Sequence, residues 1–195
     1  MIATAEQVND FWLNEVGPDG WYAGTPALDD SIRSRFAETW ENAATLAPQW
    51  ATSPKGALAA LILTDQFPRN MFRDDPRAFA TDPLARQIAD RAIAAGFDRQ
   101  IEPPARQFFY LPFEHSEDLA DQHRCVELFL AHMPGENVGH AELHRDTIAC
   151  FGRFPWRNDA LGRAHTQAET RVMQAGGYAA LVAGKLSLAD VTQMI

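Results

Sequence analysis

Apolar residues recur at helical spacing along most of the chain, and almost no segment alternates in the way that predicts a β-strand. Near the start, Val8, Phe11, Trp12 and Val16 share one helical face. Similar spacing returns in the later segments, so the pattern predicts about seven or eight helices of roughly 10–18 residues with short loops. Short loops are typical of antiparallel neighbours, and the sequence therefore predicts an all-α fold built as an array of helix hairpins.

Polar caps, prolines and glycines predict where these helices begin and end. Helix starts are predicted by the capping pairs Thr4–Gln7 and Thr166–Glu169 and by Ser53-Pro54, Asp82-Pro83 and Ser116. Helix ends are predicted at Gly17, Pro48, Phe67-Pro68, Gly96, Pro112, Pro134, Gly152 and Gly176. The segment 57–67 is almost continuously apolar and is expected to be the most buried helix.

Length and composition favour one domain with one core. The chain has 195 residues, 46% of them hydrophobic, which suffices for a packed core without a disulfide or a metal. The composition changes nowhere in the way that marks a linker, and the sequence shows no fixed repeat period. We therefore expect a single helical domain over residues 1–195, with a loosely attached tail from residue 178.

Charge and cysteine usage argue against several classes of function. A net charge of -9 lacks the basic face that nucleic-acid phosphates demand. The start of the chain has no signal-peptide pattern and no apolar run reaches the about 20 residues of a spanning helix, so we expect a cytoplasmic protein without a membrane partner. Cys125 and Cys150 lack metal-type spacing and are expected to be buried thiols of a cytosolic protein, with a disulfide bridge between them as the less favoured alternative. The sequence predicts neither a cofactor nor a metal, and it carries no signal for an oligomeric state.

Arginine dominates the positive charge of the chain, because all 17 basic residues except Lys55 and Lys185 are Arg. Arg is the residue of fixed, bidentate pairs with carboxylates and other anions. Two stretches place Arg and Asn just after a Phe-Pro pair: Asp65-Gln66-Phe67-Pro68-Arg69-Asn70 and Arg153-Phe154-Pro155-Trp156-Arg157-Asn158. Each can present a guanidinium in a fixed position at a helix boundary.

A segment of mixed charge lies between these stretches. Glu114-His115-Ser116-Glu117-Asp118 places three carboxylates and an imidazole at a predicted helix start. Opposite Arg153, Arg157 and Arg163, it would form a polar pocket with Phe67, Phe113, Phe154 and Trp156 as its lining. The same residues also fit helix stops, an N-cap and a structural ion network, and the sequence leaves both interpretations open.

Three blocks of the sequence are similar to one family. LILTDQFPRNMFRDDPRAFATDPLAR, RQFFYLPFEHSEDLADQ and HRDTIACFGRFPWRNDALGR resemble, in this order, the bacterial family catalogued as domain of unknown function 924. The resemblance spans about residues 28–170 and implies a tetratricopeptide-like right-handed superhelix with a concave side. Two positions depart from the family pattern, since Trp156 stands where His is more frequent and His165 where Ser is more frequent.

This resemblance indicates which of the histidines are expected in a functional site. His140 and His144 stand at i and i+4, but this spacing is weak as a metal signal and a solvated face is favoured. His115 and His144 match the family blocks and are the two histidines expected in a site.

Three hypotheses of function follow. The first is a binding protein for a small anionic metabolite or a peptide carboxylate, held by Arg69, Arg153 and Arg157 and oriented by His115 and Glu117. The second is a hydrolase or lyase with His115 or Glu117 as general base and an Arg clamp. The third, by analogy of fold alone, is a protein-interaction scaffold. The residues expected to bind the ligand are Asp65, Gln66, Arg69, Asn70, His115, Glu117, His144, Arg153, Arg157, Asn158 and Arg163.

Overall fold

The computed structural model of the chain describes residues 2–192, apart from the side chains of Glu136 and Thr192. Met1 and the last three residues of the predicted tail lie outside the described residues. Within 2–192 the regular structure is helical throughout and contains no strand. The prediction of an all-α fold is confirmed, whereas the superhelical arrangement of the helices stays a prediction.

The chain divides into two compact units. Unit 1 comprises Met1–Pro112 and unit 2 comprises Phe113–Ile195. The expected single domain over residues 1–195 stays a prediction, and each unit is described by itself below.

Unit 1 is built around one deeply buried helical segment. Its α-helices are α1 (Ala5–Asp10), α2 (Pro26–Glu41), α3 (Ala43–Trp50), α4 (Pro54–Leu61), α5 (Phe67–Met71), α6 (Asp82–Ala94) and α7 (Leu111–Glu114), which crosses into unit 2. Short 3₁₀ turns lie at Pro76–Phe79, Asp98–Gln100 and Ala105–Phe109. Every residue from 56 to 68 is buried, so the expected burial of this apolar segment is confirmed.

Two α-helices of unit 1 continue into π-helical turns. α1 runs into the turn Phe11–Val16, and α4 runs into the turn Ile62–Gln66. The sequence predicted that a helix ends at Phe67-Pro68. These residues instead open α5, which follows the second π-helical turn directly. Since the N–H of Phe67 reaches back five residues to Ile62, the π-helical turn lets the chain continue into a proline that has no N–H to donate.

Aromatic rings fix the first turns of unit 1 to this segment. The ring of Phe67 lies 5.5 Å from that of Trp12 and 4.7 Å from that of Phe36. Offset and edge-on ring pairs at such distances stabilise a core by about 0.5–1.5 kcal/mol each beyond their buried area. The apolar stripes predicted for the first two helices thus pack against the third.

Unit 2 holds longer helices followed by short ones. Its α-helices after α7 are α8 (Leu119–His132), α9 (Glu136–Phe151), α10 (Gln167–Ala175), α11 (Tyr178–Val182) and α12 (Leu188–Thr192), with a 3₁₀ turn at Pro155–Arg157. The capping box at Thr166–Glu169 and the left-handed glycines Gly152 and Gly176 are confirmed as predicted. α8 begins after Asp118, whose carboxylate accepts from the N–H groups of Ala120 and Asp121. The N-cap predicted at Ser116 was therefore misplaced by two residues.

The predicted tail takes part in the core of unit 2. Leu181 and Val191 are buried together with Ala168 and Val172 of α10, and Trp156 packs against this group while partly exposed. The short helices α11 and α12 therefore have an apolar anchor, although neither is longer than five residues.

Candidate functional site

The predicted site residues of unit 1 form two separate groups. In the first, Arg69 places Nη1 and Nη2 2.9 and 3.0 Å from the two carboxylate oxygens of Asp82, and Nη1 also donates to the carbonyl of Asp65 at 2.6 Å. The side chain of Gln66 donates to the carboxylate of Asp65. Burial alone would lower the pKa of Arg69, but the charges of Asp65 and Asp82 outweigh it and raise that pKa above its ordinary value.

The second group in unit 1 contains Asn70. Its amide donates to Asp29 at 2.9 Å, and Asp29 also accepts from the guanidinium of Arg73. Asn70 is thus bound to a carboxylate of α2. Both groups are ion networks that join parts of unit 1.

In unit 2, Glu117 and Arg163 form a bidentate ion pair. The two oxygens of Glu117 accept from Nη1 and Nη2 of Arg163 at 2.7 and 2.9 Å, and one of them also accepts from the backbone N–H of Phe154 at 2.9 Å. Burial alone would raise the pKa of Glu117, but these hydrogen bonds outweigh it and hold that pKa below its usual range. Glu117 therefore fixes the start of the second Phe-Pro stretch to the loop before α8.

Arg153 and Asn158 are held by other partners within unit 2. Arg153 donates from Nε and Nη2 to the carboxylate of Glu169 at 2.6 and 2.8 Å, which lowers the pKa of Glu169 to about 2. The amide of Asn158 lies 3.2 Å from Nδ1 of His165. Arg153 and Arg163 thus each form a bidentate pair with a carboxylate of the fold, as in the ion network that the sequence left open, while Nε of Arg163 has no partner among the described residues.

His144 occupies a different environment on α9. Its Nδ1 lies 2.9 Å from the carbonyl oxygen of His140, and because a carbonyl only accepts, Nδ1 carries the proton. The other ring nitrogen, Nε2, makes no hydrogen bond to any described residue. Burial is the main reason that the pKa of His144 is lowered to about 3, and the positive charges of His115 and Arg157 lower it further. The imidazole is therefore neutral near pH 7 and presents Nε2 as an acceptor.

Four rings, those of His144, Phe154, Trp156 and Tyr178, form what we call the aromatic cluster. The ring of His144 lies 5.4, 6.1 and 4.7 Å from those of Phe154, Trp156 and Tyr178, respectively. Phe154 stacks on Trp156 at 5.0 Å, and Trp156 lies 5.3 Å from Tyr178. Phe154 is fully buried, whereas the other three rings are partly exposed. The cluster thus has a buried side and a side that solvent reaches.

Charged groups border the aromatic cluster. The guanidinium of Arg157 lies 4.6 Å over the ring of Phe154, and Arg157 is only 7% exposed. The buried carboxylate of Glu114 lies 3.4 Å from Nδ1 of His144. Burial raises the pKa of Tyr178, and the charge of Glu114 raises it further. A cation and an anion therefore lie beside the same group of rings.

Two residues of this arrangement were absent from the predicted site. Tyr178 was assigned to the loosely attached tail, yet its hydroxyl lies 2.6 Å from Nδ1 of His140. Glu114 belongs to the acidic segment singled out by the sequence, but Glu117 was expected to act in its place. A Tyr directly after the Gly176-Gly177 pair was the available signal, because glycines with positive φ turn the chain back sharply.

A surface cleft of ≈ 400 Å³ lies beside the Arg153–Glu169 pair. Its lining includes Cys150, Phe151 and the first residues of α10. The two charged side chains of this lining, Arg153 and Glu169, already pair with each other, and we assign the cleft no function. Among the described residues, no three His, Cys, Asp or Glu side chains come together as metal ligands, and no helix is long and apolar enough to span a bilayer.

Comparison with known proteins agrees with the three sequence blocks. The model of a family described as bacterial protein of unknown function (DUF924) matches residues 8–177. A solved structure of a protein of unknown function from Agrobacterium tumefaciens is similar to this chain at 42% sequence identity and a TM-score of 0.84, covering 88% of this chain and 97% of that one. A comparison with curated proteins found no match. Since the family model matches most of the chain, the protein belongs to the DUF924 family of bacterial proteins.

Proposed function

We propose that this protein binds a small anionic metabolite or a peptide carboxylate at the aromatic cluster of unit 2. One observation carries the proposal: the neutral imidazole of His144 presents an unpartnered acceptor, Nε2, among rings that are only partly covered. Ligand sites are usually apolar and aromatic surfaces with a few convergent polar groups, and this cluster has that composition.

The electrostatics beside His144 favour an anionic ligand. Among the groups that lower the pKa of His144, Arg157 is the one that carries a full positive charge near pH 7. Its buried guanidinium holds that charge next to Phe154. An anion would be attracted to this side of the cluster, although Glu114 keeps the attraction local.

Three arginines that the sequence placed in the binding site, Arg69, Arg153 and Arg163, have a different role in this proposal. Arg153 and Arg163 are engaged by Glu169 and Glu117, and Arg69 is engaged by Asp82, so their contacts support a structural role. Arg157 and His144 are the predicted residues that the proposal retains as direct partners of the ligand. Trp156 and Tyr178 would cover its apolar part, and Nε2 of His144 would accept from a hydroxyl or amide group.

The alternative of a hydrolase or lyase named His115 or Glu117 as general base, and it has weaker support at Glu117. Glu117 makes a poor general base because its oxygens accept three hydrogen bonds and its pKa is lowered. The carboxylate of Glu114 lies close enough to orient His144, but an imidazole with a pKa of about 3 takes up a proton too weakly near pH 7 to serve as an efficient base. A scaffold function gains no support from the large exposed apolar side chains, which lie singly along the chain.

The test uses phenylacetate and its neutral amide as matched probes in a thermal-shift and NMR titration of the full chain. We expect phenylacetate to raise the melting temperature and to shift the indole signal of Trp156, and phenylacetamide to do so far less. Arg157→Gln should abolish this preference and Arg157→Lys should keep it, while Lys185→Gln removes one exposed positive charge as the control.

Three outcomes would contradict the proposal. The first is an equal response to both probes, which means apolar contact without charge recognition. The second is a response of Arg157→Gln equal to that of Lys185→Gln. The third is the absence of any shift at Trp156 with millimolar probe. If Arg157→Gln does not fold, His144→Gln takes its place, since Gln keeps a polar side chain but loses the ring acceptor.

A further inference from the structure

The ring of His144 is held in one tautomer by the groups around Nδ1. This nitrogen lies 2.9 Å from the carbonyl oxygen of His140, which can only accept a hydrogen bond. The carboxylate of Glu114, 3.4 Å away, favours a proton on the same nitrogen. Nδ1 is therefore the protonated nitrogen of the neutral ring, and Nε2 can only accept.

Nε2 of His144 is within reach of a ligand. It makes no hydrogen bond to a described residue, and it is not one of the sealed polar atoms of unit 2, which include Oδ1 of Asn158 and Oε1 of Gln122. The side chain of His144 is 12% exposed, and the neighbouring rings of Trp156 and Tyr178 are also partly exposed. An N–H or O–H group from outside the protein can therefore approach this acceptor.

The rings beside this acceptor favour a flat partner. The rings of Trp156 and Tyr178 lie 6.1 and 4.7 Å from that of His144 and 5.3 Å from each other. An aromatic ring packs against rings at such distances more favourably than its buried area alone would give. The hydroxyl of Tyr178 already meets Nδ1 of His140 at 2.6 Å, whereas Nε2 of His144 has no such partner.

The ring of Phe154 lies between this acceptor and the cation of the site. The guanidinium carbon of Arg157 lies 4.6 Å from the centroid of Phe154, and the ring of His144 lies 5.4 Å from it. The two polar groups are therefore no farther apart than the sum of these distances. An aromatic acid with a donor at one end and a carboxylate at the other can bridge such a span.

We propose that the ligand of the aromatic cluster is an aromatic acid with an N–H or O–H on its ring, of the indolyl or hydroxyphenyl class, and that His144 selects it through Nε2. The ring donor would meet Nε2, the ring would lie against Trp156 and Tyr178, and the carboxylate would lie toward Arg157. This inference rests on the proposed function, because both concern the same site, and it adds the class of ligand and the residue that recognises it.

Two pairs of acids that differ by methylation of the donor test this selection. They are indole-3-acetate with 1-methylindole-3-acetate, and 4-hydroxyphenylacetate with 4-methoxyphenylacetate. NMR titrations of the full chain, followed at the indole signal of Trp156, give the Kd of each acid. We expect each donor-bearing acid to bind about three- to ten-fold more tightly than its methylated partner, because the methylated acid leaves Nε2 without a hydrogen bond.

Two matched variants assign the selection to His144. His144→Phe keeps a ring and removes the acceptor, so the ratio of the two Kd values should fall to about one. His123→Phe makes the same change at an exposed position of α8 that contributes no ring to the cluster, and it should keep the ratio of the wild type. If His144→Phe does not fold, the nitrogen-15 signal of Nε2 in the wild type decides: it should move with indole-3-acetate and stay in place with the methylated acid.

The possible outcomes separate this inference from the proposed function. Equal Kd values for the two members of each pair would overturn the inference and leave the proposed function standing, because the acids still bind. A preference that His144→Phe retains, or a signal of Nε2 that moves equally with both acids, would also overturn the inference alone. If none of the four acids binds, the inference fails together with the proposed function.

Discussion

The imidazole of His144 couples the stability of the protein to pH. Its pKa in the folded chain is about 3, mainly because of burial, against about 6.5 in an unfolded chain. Between these values the unfolded state binds a proton that the folded state does not. Stability is therefore complete above about pH 6.5 and falls as the pH drops toward 3, with a slope of about 1.4 kcal/mol per pH unit in that window.

Urea unfolding at several pH values measures this slope. Glu169 and Glu117 also have lowered pKa values, but the loss of their contribution begins below about pH 4.5. Between pH 5 and 6.5 these carboxylates contribute little, and the difference between the wild type and His144→Gln assigns the slope to His144. His144→Gln should flatten the slope there, and an NMR titration of the wild type should find His144 neutral at pH 5. A midpoint near 6.5 for His144 would refute the expected burial effect.

Single residues also show why the site was only partly predictable. The sequence identified Arg and Asn near Phe-Pro as rigid donors, and the structure gives Arg69, Asn70 and Arg153 carboxylate partners. Which acceptor each donor meets depends on residues far along the chain, as with Asp82 for Arg69 and Glu169 for Arg153. Asp82-Pro83 has the pattern of a helix cap, and nothing local reveals that its carboxylate is bound by a guanidinium.

At the scale of elements, local chemistry predicted helix ends well at the two capping boxes and at the left-handed glycines Gly152 and Gly176. It failed where a helix changes its winding. Pro48 lies inside α3, and the break falls earlier at Asn42, whose side-chain amide donates to the carbonyl of Glu38 and competes with the helical bonds. The two π-helical turns, at Phe11–Val16 and Ile62–Gln66, are not encoded by the spacing of apolar residues.

Two helical glycines are expected to respond to alanine with opposite signs. A Cβ on Gly56 would lie 1.9 Å from the carbonyl oxygen of Trp50, whereas one on Gly139 would meet nothing within 4 Å. Gly56→Ala should therefore destabilise the protein by about 1–3 kcal/mol, because the backbone must shift. Gly139→Ala on α9 should stabilise it by about 0.5–1 kcal/mol, since alanine loses less backbone entropy in a helix.

Chemical denaturation of both variants measures the two signs. Equal effects of the two substitutions would show that the close approach of the Trp50 carbonyl to Gly56 is absent in solution. Because the backbone of Trp50 must move to make room for the new methyl group, a Gly56→Ala protein that folds should show a displaced Trp50 indole signal.

At the scale of the whole molecule, large apolar side chains are distributed unevenly between the two units. Of the twelve largest fully buried side chains, three lie in unit 2, namely Phe113, Phe129 and Phe154, and the rest lie in unit 1. Composition predicted enough apolar residues for a core, but not how they are divided between the two units. The periodicity of each helix shows which of its faces is buried, and it does not show which helices share a core. Local stability is therefore expected to differ along the chain.

Hydrogen exchange should reveal this difference between the buried segment 56–68 and the end of the chain. Every residue of 56–68 is buried, so its amides should open only with most of unit 1. Residues 178–192 form two helices of five residues each, held by a few contacts such as those of Leu181 and Val191. Their amides should exchange at least about 100-fold faster, after correction for intrinsic rates, in a mass-spectrometric time course. Protection of 178–192 equal to that of 56–68 would instead make this segment an integral part of a cooperative core, and would contradict the loose attachment that the sequence predicts.

Because Tyr178 belongs to the aromatic cluster, the same time course with phenylacetate should slow exchange in 178–182 if the ligand binds there.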